Sequence, residues 1–118
     1  MKDFKKLNVW QKSMELVTSV YKISRDFPIE EKYGLTSQIT RSAVSIPSNI
    51  AEGSSRFSER DYFRFLEIAL GSVFEFETQL MIANNLEFSN EKVFLELLEQ
   101  TKRIQKMISG LMSKLKRS

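Results

Sequence analysis

The sequence contains no cysteine and no histidine. The first absence excludes a disulfide framework, a thiolate metal site and a cysteine nucleophile. The second removes the commonest metal ligand and the commonest general base. Glu67, Glu75 and Glu77 share one helical segment, yet no Glu-x-x-His pair exists for a di-iron bundle site. A glycine-rich phosphate loop and a serine-centred nucleophile motif are missing as well. The expectation is a non-enzymatic protein without metal or cofactor. Two prolines and four glycines favour long uninterrupted elements. No apolar run approaches the roughly 18 residues of a transmembrane helix. The start, MKDFKKLNVWQKS, is charged and lacks the apolar stretch of a signal peptide. A soluble, cytoplasmic protein is expected, with the 118 residues forming a single domain, 1–118, around one core.

Helical periodicity is what the chain has in abundance. Val9, Ser13, Leu16, Val20, Ile23 and Phe27 make one seam, with Trp10, Met14, Val17 and Tyr21 beside it. Asn8 is the expected cap, Gln11 its capping-box partner, and Pro28 ends the helix near Asp26. A connector from Pro28 to Gly34 has room for one helical turn. The second helix is capped by Thr36 or starts a turn earlier. Ser58 and Asp61 open the third helix, whose seam runs Tyr62, Leu66, Ala69, Val73, Phe76, Leu80 and Ala83. Its end is expected at Asn84 or Asn85, residues that tolerate left-handed geometry. The fourth opens after Ser89 or Asn90 and repeats the pattern through Leu97, Thr101, Ile104, Ile108, Leu111 and Leu115. These runs predict an all-α fold, an antiparallel, up-down, left-handed four-helix bundle. Phe63, Leu70, Phe74 and Met81 form a further apolar stripe on the third helix, more than one interior needs. Such a surplus predicts a homo-oligomer.

The second helix carries two stripes at once. Leu35, Ile39, Ala43, Ile46 and Ile50 are apolar, while Gln38, Arg41, Ser45, Ser48 or Asn49, and Glu52 line a neighbouring face. Pro47 interrupts it, at a cost of about 3 kcal/mol in a regular helix. Gly53 stands where a left-handed residue would close it. Arg41, Ser45, Pro47, Asn49, Glu52 and Gly53 are read as a structural or interface motif, with Arg41 pairing Glu52 or Glu75. The competing reading is a ligand or nucleic-acid pocket.

These residues resemble the 23S rRNA intervening-sequence protein family and, more distantly, the accessory proteins of diversity-generating retroelements. The matching stretches are Leu7 to Lys12, Phe27-Pro28 with Glu31, Tyr33-Gly34-Leu35, and Arg41 to Gly53 after Gln38-Ile39. Arg56, Phe63, Phe65-Leu66, Ala69, Gly71-Ser72 and Glu75 complete them. The resemblance implies a bundle that assembles as a homopentamer, with a dimer as the general alternative. It also implies a basic surface that holds nucleic acid and a polymerase-type partner, and it brings no catalytic residue.

Charge points the same way. From Thr101 onward Lys102, Arg103, Lys106, Lys114, Lys116 and Arg117 meet no acid, while Ser58 to Leu86 carries a net −3. The six cations are candidates for contacting RNA or DNA phosphates; otherwise they serve helix capping and solubility. Trp10, Tyr21 and Phe27 are either core residues or a base-stacking platform. Two functions follow: a nucleic-acid-binding accessory protein, or a protein-recruiting scaffold with no nucleic-acid role.

Overall fold

The computed structural model describes residues 3–115, so Lys116 and Arg117 lie outside the described residues. Four helices follow one another: α1 (Asn8–Ser24), α2 (Leu35–Ser54), α3 (Glu59–Asn85) and α4 (Glu91–Ser113). Single 3₁₀ turns precede α1 at Phe4–Lys6 and α2 at Ile29–Glu31, the latter being the turn anticipated in the connector. No strand occurs among the described residues. The molecule is 45 Å long, and a helix the length of α3 spans about 40 Å. The links at 55–58 and 86–90 therefore have to turn the chain back on itself. The register confirms this for α2 and α3: Ser42 meets Gln79, Ser45 meets Ser72, and Gly53 meets Phe65.

The seams close on one core. Leu16, Val20, Ile39, Ala43, Ile46, Ile50, Leu66, Val73, Phe76, Leu80 and Ile108 are all fully buried. Two hydroxyls share this interior by bonding to their own helix, Ser13 Oγ to the Val9 carbonyl and Thr101 Oγ1 to that of Leu97, each at 2.7 Å.

Helix ends depart from the sequence expectation in instructive ways. Leu7 caps α1 without a side-chain bond, and Gln11 Nε2 reaches back to the Lys5 carbonyl at 2.8 Å. The 3₁₀ turn thus occupies the partner that a capping box would use. The helix α1 stops at Ser24, and the amides of Asp26 and Phe27 bond to the Ile23 and Ser24 carbonyls. That turn carries Phe27 into the core, where it packs on Phe88 with ring centroids 5.6 Å apart. Thr36 is not the cap of α2. The Leu35 amide donates to Glu31 Oε1 at 3.0 Å, so the preceding turn supplies the acceptor. Ser58 and Asn90 cap α3 and α4 as expected, accepting from the Asp61 and Val93 amides.

At the end of α3 the left-handed residue is Glu87 (φ 61°), not an asparagine. The Phe88 amide bonds to the Ala83 carbonyl and the Glu87 amide to that of Asn84, the paired bonds of a Schellman motif. Gly53 has no positive φ and does not end α2, which continues to Ser54. Its role is steric: a Cβ there would lie 2.7 Å from Phe65 Cβ and 3.0 Å from Tyr62 Cδ1.

Candidate nucleic-acid interface and the polar seam behind it

Small residues bring α2 and α3 together, and hydroxyls and amides stitch the contact. Ser45 and Ser72 share a hydrogen bond of 2.8 Å between their hydroxyls. Asn49 Nδ2 donates to both the Ser45 carbonyl and Ser45 Oγ. Ser42 Oγ donates to Gln79 Oε1 at 2.6 Å, and Gln79 Nε2 reaches Glu75 at 3.3 Å. Pro47 is buried beside this ladder and lacks the amide that would have bonded Ala43. Where the α2–α3 contact tightens at Gly53, burial pushes the Tyr62 phenol up from its ordinary pKa.

Arg41 and Glu52 stand apart from that ladder. Glu52 pairs with Arg56 at 3.0 Å, one helical turn on. Arg41 is exposed and makes no ion pair among the described residues. With Tyr33, Ser37, Gln38 and Glu75 it lines a groove of about 710 Å³ whose floor is Ser42 and Ser45. The expected Arg41 pair with Glu52 or Glu75 does not form within the chain. Glu52 has a nearer cation in Arg56, just past the end of its own helix.

The C-terminal cations divide into two groups. Lys102 Nζ binds Glu77 at 2.9 Å and Arg103 binds Glu99 at 3.5 Å, so both are already engaged. Lys106 and Lys114 are exposed without an ion pair among the described residues. The antiparallel fold adds cations that a reading of the tail alone overlooks. The end where α1 begins, α2 turns into α3 and α4 finishes holds eight: Lys5, Lys6, Lys12, Arg56, Arg60, Arg64, Lys106 and Lys114. They face five carboxylates, Asp3, Glu52, Glu59, Asp61 and Glu67, for a net of +3. The opposite end has five cations, Lys22, Arg25, Lys32, Arg41 and Lys92. Against them stand nine carboxylates, Asp26, Glu30, Glu31, Glu75, Glu77, Glu87, Glu91, Glu96 and Glu99. With Lys102 and Arg103, the partners of Glu77 and Glu99, counted beside them, seven cations against nine carboxylates leave a net of −2. Lys5, Lys6 and Lys12 were legible in the charged start of the sequence. Only the pairing of the first helix with the last sets them at the end where α4 finishes.

The aromatic residues form no common platform. Phe27 is in the core, Trp10 packs edge-on against Phe4 at 5.2 Å, and Tyr21 stands alone on the surface of α1. Phe74 and Met81, from the surplus stripe of α3, are each about half exposed. No helix among the described residues is long and apolar enough to cross a membrane. Nor is there among them a cluster of three acidic side chains placed to hold a metal ion.

The family model of the 23S rRNA-intervening sequence proteins matches residues 5–110. The chain belongs to that family. The match takes in α1 to α3 whole and α4 as far as Gly110, so the polar seam and most of the basic end lie within it. A solved structure supports the same fold for this intervening-sequence protein. A crystal structure at 1.70 Å of a protein of unknown function from the S23 ribosomal protein family of Bacteroides thetaiotaomicron superposes with a TM-score of 0.82. The two chains are 26% identical, and the match covers 88% of this chain and 97% of that one. No curated protein matches the chain.

Proposed function

We propose that this protein is a non-enzymatic, homo-oligomeric accessory protein that contacts nucleic-acid phosphates through the basic end of its bundle. The observation that carries the reading is the separation of charge along the bundle axis, +3 at one end and −2 at the other. Phosphate binding draws on locally clustered cations, so a chain whose described residues carry little net charge can still hold a polyanion at one end. The family's description favours RNA as the first probe.

The proposed assembly is a homopentamer. In a ring all subunits point the same way, so five ends of +3 place +15 on one rim. A polymerase-type protein is the proposed partner. Lys5, Lys6, Lys106 and Lys114 are the contacts assigned to phosphate, with Lys116 and Arg117 following them in sequence. Lys102 and Arg103 are demoted by their ion pairs.

Fluorescence anisotropy of a labelled RNA, titrated at rising salt, tests this. Binding should weaken with a logarithmic slope of roughly −0.7 to −0.9 per phosphate contacted. Base preference should be small, because lysines contact the backbone. Lys5→Glu, Lys6→Glu, Lys106→Glu and Lys114→Glu together should abolish binding and leave the oligomer intact. No binding at about 50 mM salt, where screening is modest, overturns the reading. So does binding that survives the four substitutions.

A further inference from the structure

Two apolar faces lie on opposite sides of the bundle, and phosphate contact uses neither. The helices touch in the cycle α1–α2, α2–α3, α3–α4 and α4–α1, and among the described residues neither diagonal pair meets. The α1–α2 side therefore stands opposite the α3–α4 side. On the first, Trp10, Met14 and Val17 of α1 and Val44, Pro47 and Ala51 of α2 line a groove of about 390 Å³ with Ser48. None of these lining side chains is charged, in a chain that is 28% charged. Met14 and Val44 stay 42% and 38% exposed, and Tyr21, one turn past Val17, extends the open surface. On the second side, the 2.9 Å bond from Lys102 to Glu77 marks where α3 and α4 meet. Leu70 and Phe74 stand seven and three residues before Glu77, and Met81 four after it, so the three form a ridge along that side. Phe74 and Met81 are each about half exposed, as is Leu95, seven residues before Lys102 on α4. The ion pair set among them, Glu77 with Lys102, carries no net charge.

We infer that the α3–α4 ridge of one copy seats in the α1–α2 groove of the next, which makes the contact between subunits head-to-tail. The occupant is identified by the chain's own surfaces. Interface cores lose charge and gain aromatic side chains and methionine, and both faces have that composition. An isologous pairing would cover one face twice and leave the opposite one bare. A heterologous contact covers both and can close into a ring. Lengths agree as well: Trp10 to Tyr21 and Leu70 to Met81 each advance eleven positions, about 16 Å of helix. This contact rests on the homo-oligomer proposed above and assigns the surfaces that build it.

Native mass spectrometry and sedimentation velocity on the full-length protein test this. Met14→Asp with Val44→Asp places carboxylates in the groove, and Phe74→Asp with Met81→Asp places them on the ridge. All four side chains are exposed in the single chain, and circular dichroism verifies that each variant keeps its helices. Should a pair unfold, Met14→Asp or Phe74→Asp alone replaces it. Either pair should weaken self-association about tenfold or more, since an unpaired carboxylate would be buried in the contact. Tyr33→Ala with Arg41→Ala, on the α2–α3 side, should leave the oligomer intact. A mixture of the two carboxylate variants decides the geometry. Each keeps the surface that the other has lost, so equimolar mixing should give one-to-one heterodimers and nothing larger. Groove and ridge variants that assemble like the parent overturn the inference while the homo-oligomer itself stands. So does a mixture that stays monomeric, or a ridge variant that still dimerises by itself, because the groove would then pair with its own copy. A monomeric parent overturns this contact and the proposed homo-oligomer together.

Discussion

The α2–α3 contact and the α1–α4 contact solve the same packing problem by opposite means. Across α2–α3 the residues are small, Ser42, Ser45, Gly53, Ala69 and Ser72, and the helices lie close enough that Gly53 has no space for a Cβ. Across α1–α4 the residues are long. Met107, Leu111, Met112 and Leu115 are only partly buried, and a gap of about 180 Å³ opens between Lys12, Glu15, Gln100 and Arg103. A close contact specifies its side chains one by one, because neither volume nor a hydrogen-bond partner can change alone. A loose contact leaves its outer positions free to carry charge. In this chain the tight seam supplies rigidity, and the loose one supplies most of the basic end.

The largest effect expected from breaking that contrast is Gly53→Ala. The new methyl group meets Phe65 Cβ, which is anchored to backbone and cannot swing aside. Overpacking of this kind costs about 1–3 kcal/mol, and the upper half of that range is expected here. Urea unfolding should show a lower midpoint with an unchanged slope. A midpoint equal to that of the parent protein would mean that α2 and α3 can separate freely, and the contrast would fail.

Ser42→Ala should come next. It leaves Gln79 Oε1 without its 2.6 Å donor in a buried position, a loss of about 1–2 kcal/mol. Ser45→Ala should cost less, because Ser72 Oγ keeps its bond to the Ile68 carbonyl. Equal losses at the two sites would show that the ladder behaves as one cooperative network.

Much of this contrast was written in the sequence, and the reasons for the exceptions are physical. The four seams were legible because burial imposes a period, and Leu16, Ile39, Val73 and Ile104 all fall where the period puts them. The polar stripe of α2 was legible as well, down to Ser45 and Asn49. Partners were not. Nothing local distinguishes Arg41, which stays open, from Glu52, which finds Arg56 one turn away. Gly53 looked like a terminator because glycine serves left-handed turns and close approaches alike, and only the neighbouring helix decides between them. The basic end was half visible. Its α4 cations stood out in a row, whereas Lys5, Lys6 and Lys12 join them only through the pairing of helices about a hundred residues apart.

On the charged side of the comparison the effects should be smaller. Lys102→Ala removes the partner of Glu77, whose side chain is only 17% exposed and whose Oε1 is buried without a hydrogen bond. About 1 kcal/mol is expected, discounted for the solvent that reaches the lysine. Lys106→Ala and Lys114→Ala should stay within about 0.5 kcal/mol of the parent, as exposed cations with no ion-pair partner to lose among the described residues. The same denaturation series checks all three. A loss at Lys106 matching that at Lys102 would reassign it from a free cation to a structural one.

The smallest expected effect has the opposite sign. Gly110 lies inside α4 with nothing within 4 Å of the place its Cβ would take. Alanine there should stabilise the helix by about 0.5–1 kcal/mol by restricting the unfolded chain and raising helix propensity. A thermal melt should rise by a few degrees, roughly what that energy gives for a domain of this size. Because the measurement is made on the protein as it assembles, it probes more than propensity. Gly110 sits between Lys106 and Lys114, so a methyl group that destabilises would show this face of α4 to be packed against another copy. The lysines on either side would then be covered in the assembly, and of the four assigned phosphate contacts among the described residues only Lys5 and Lys6 would be left. A gain, as expected, leaves that face open to solvent and its cations available.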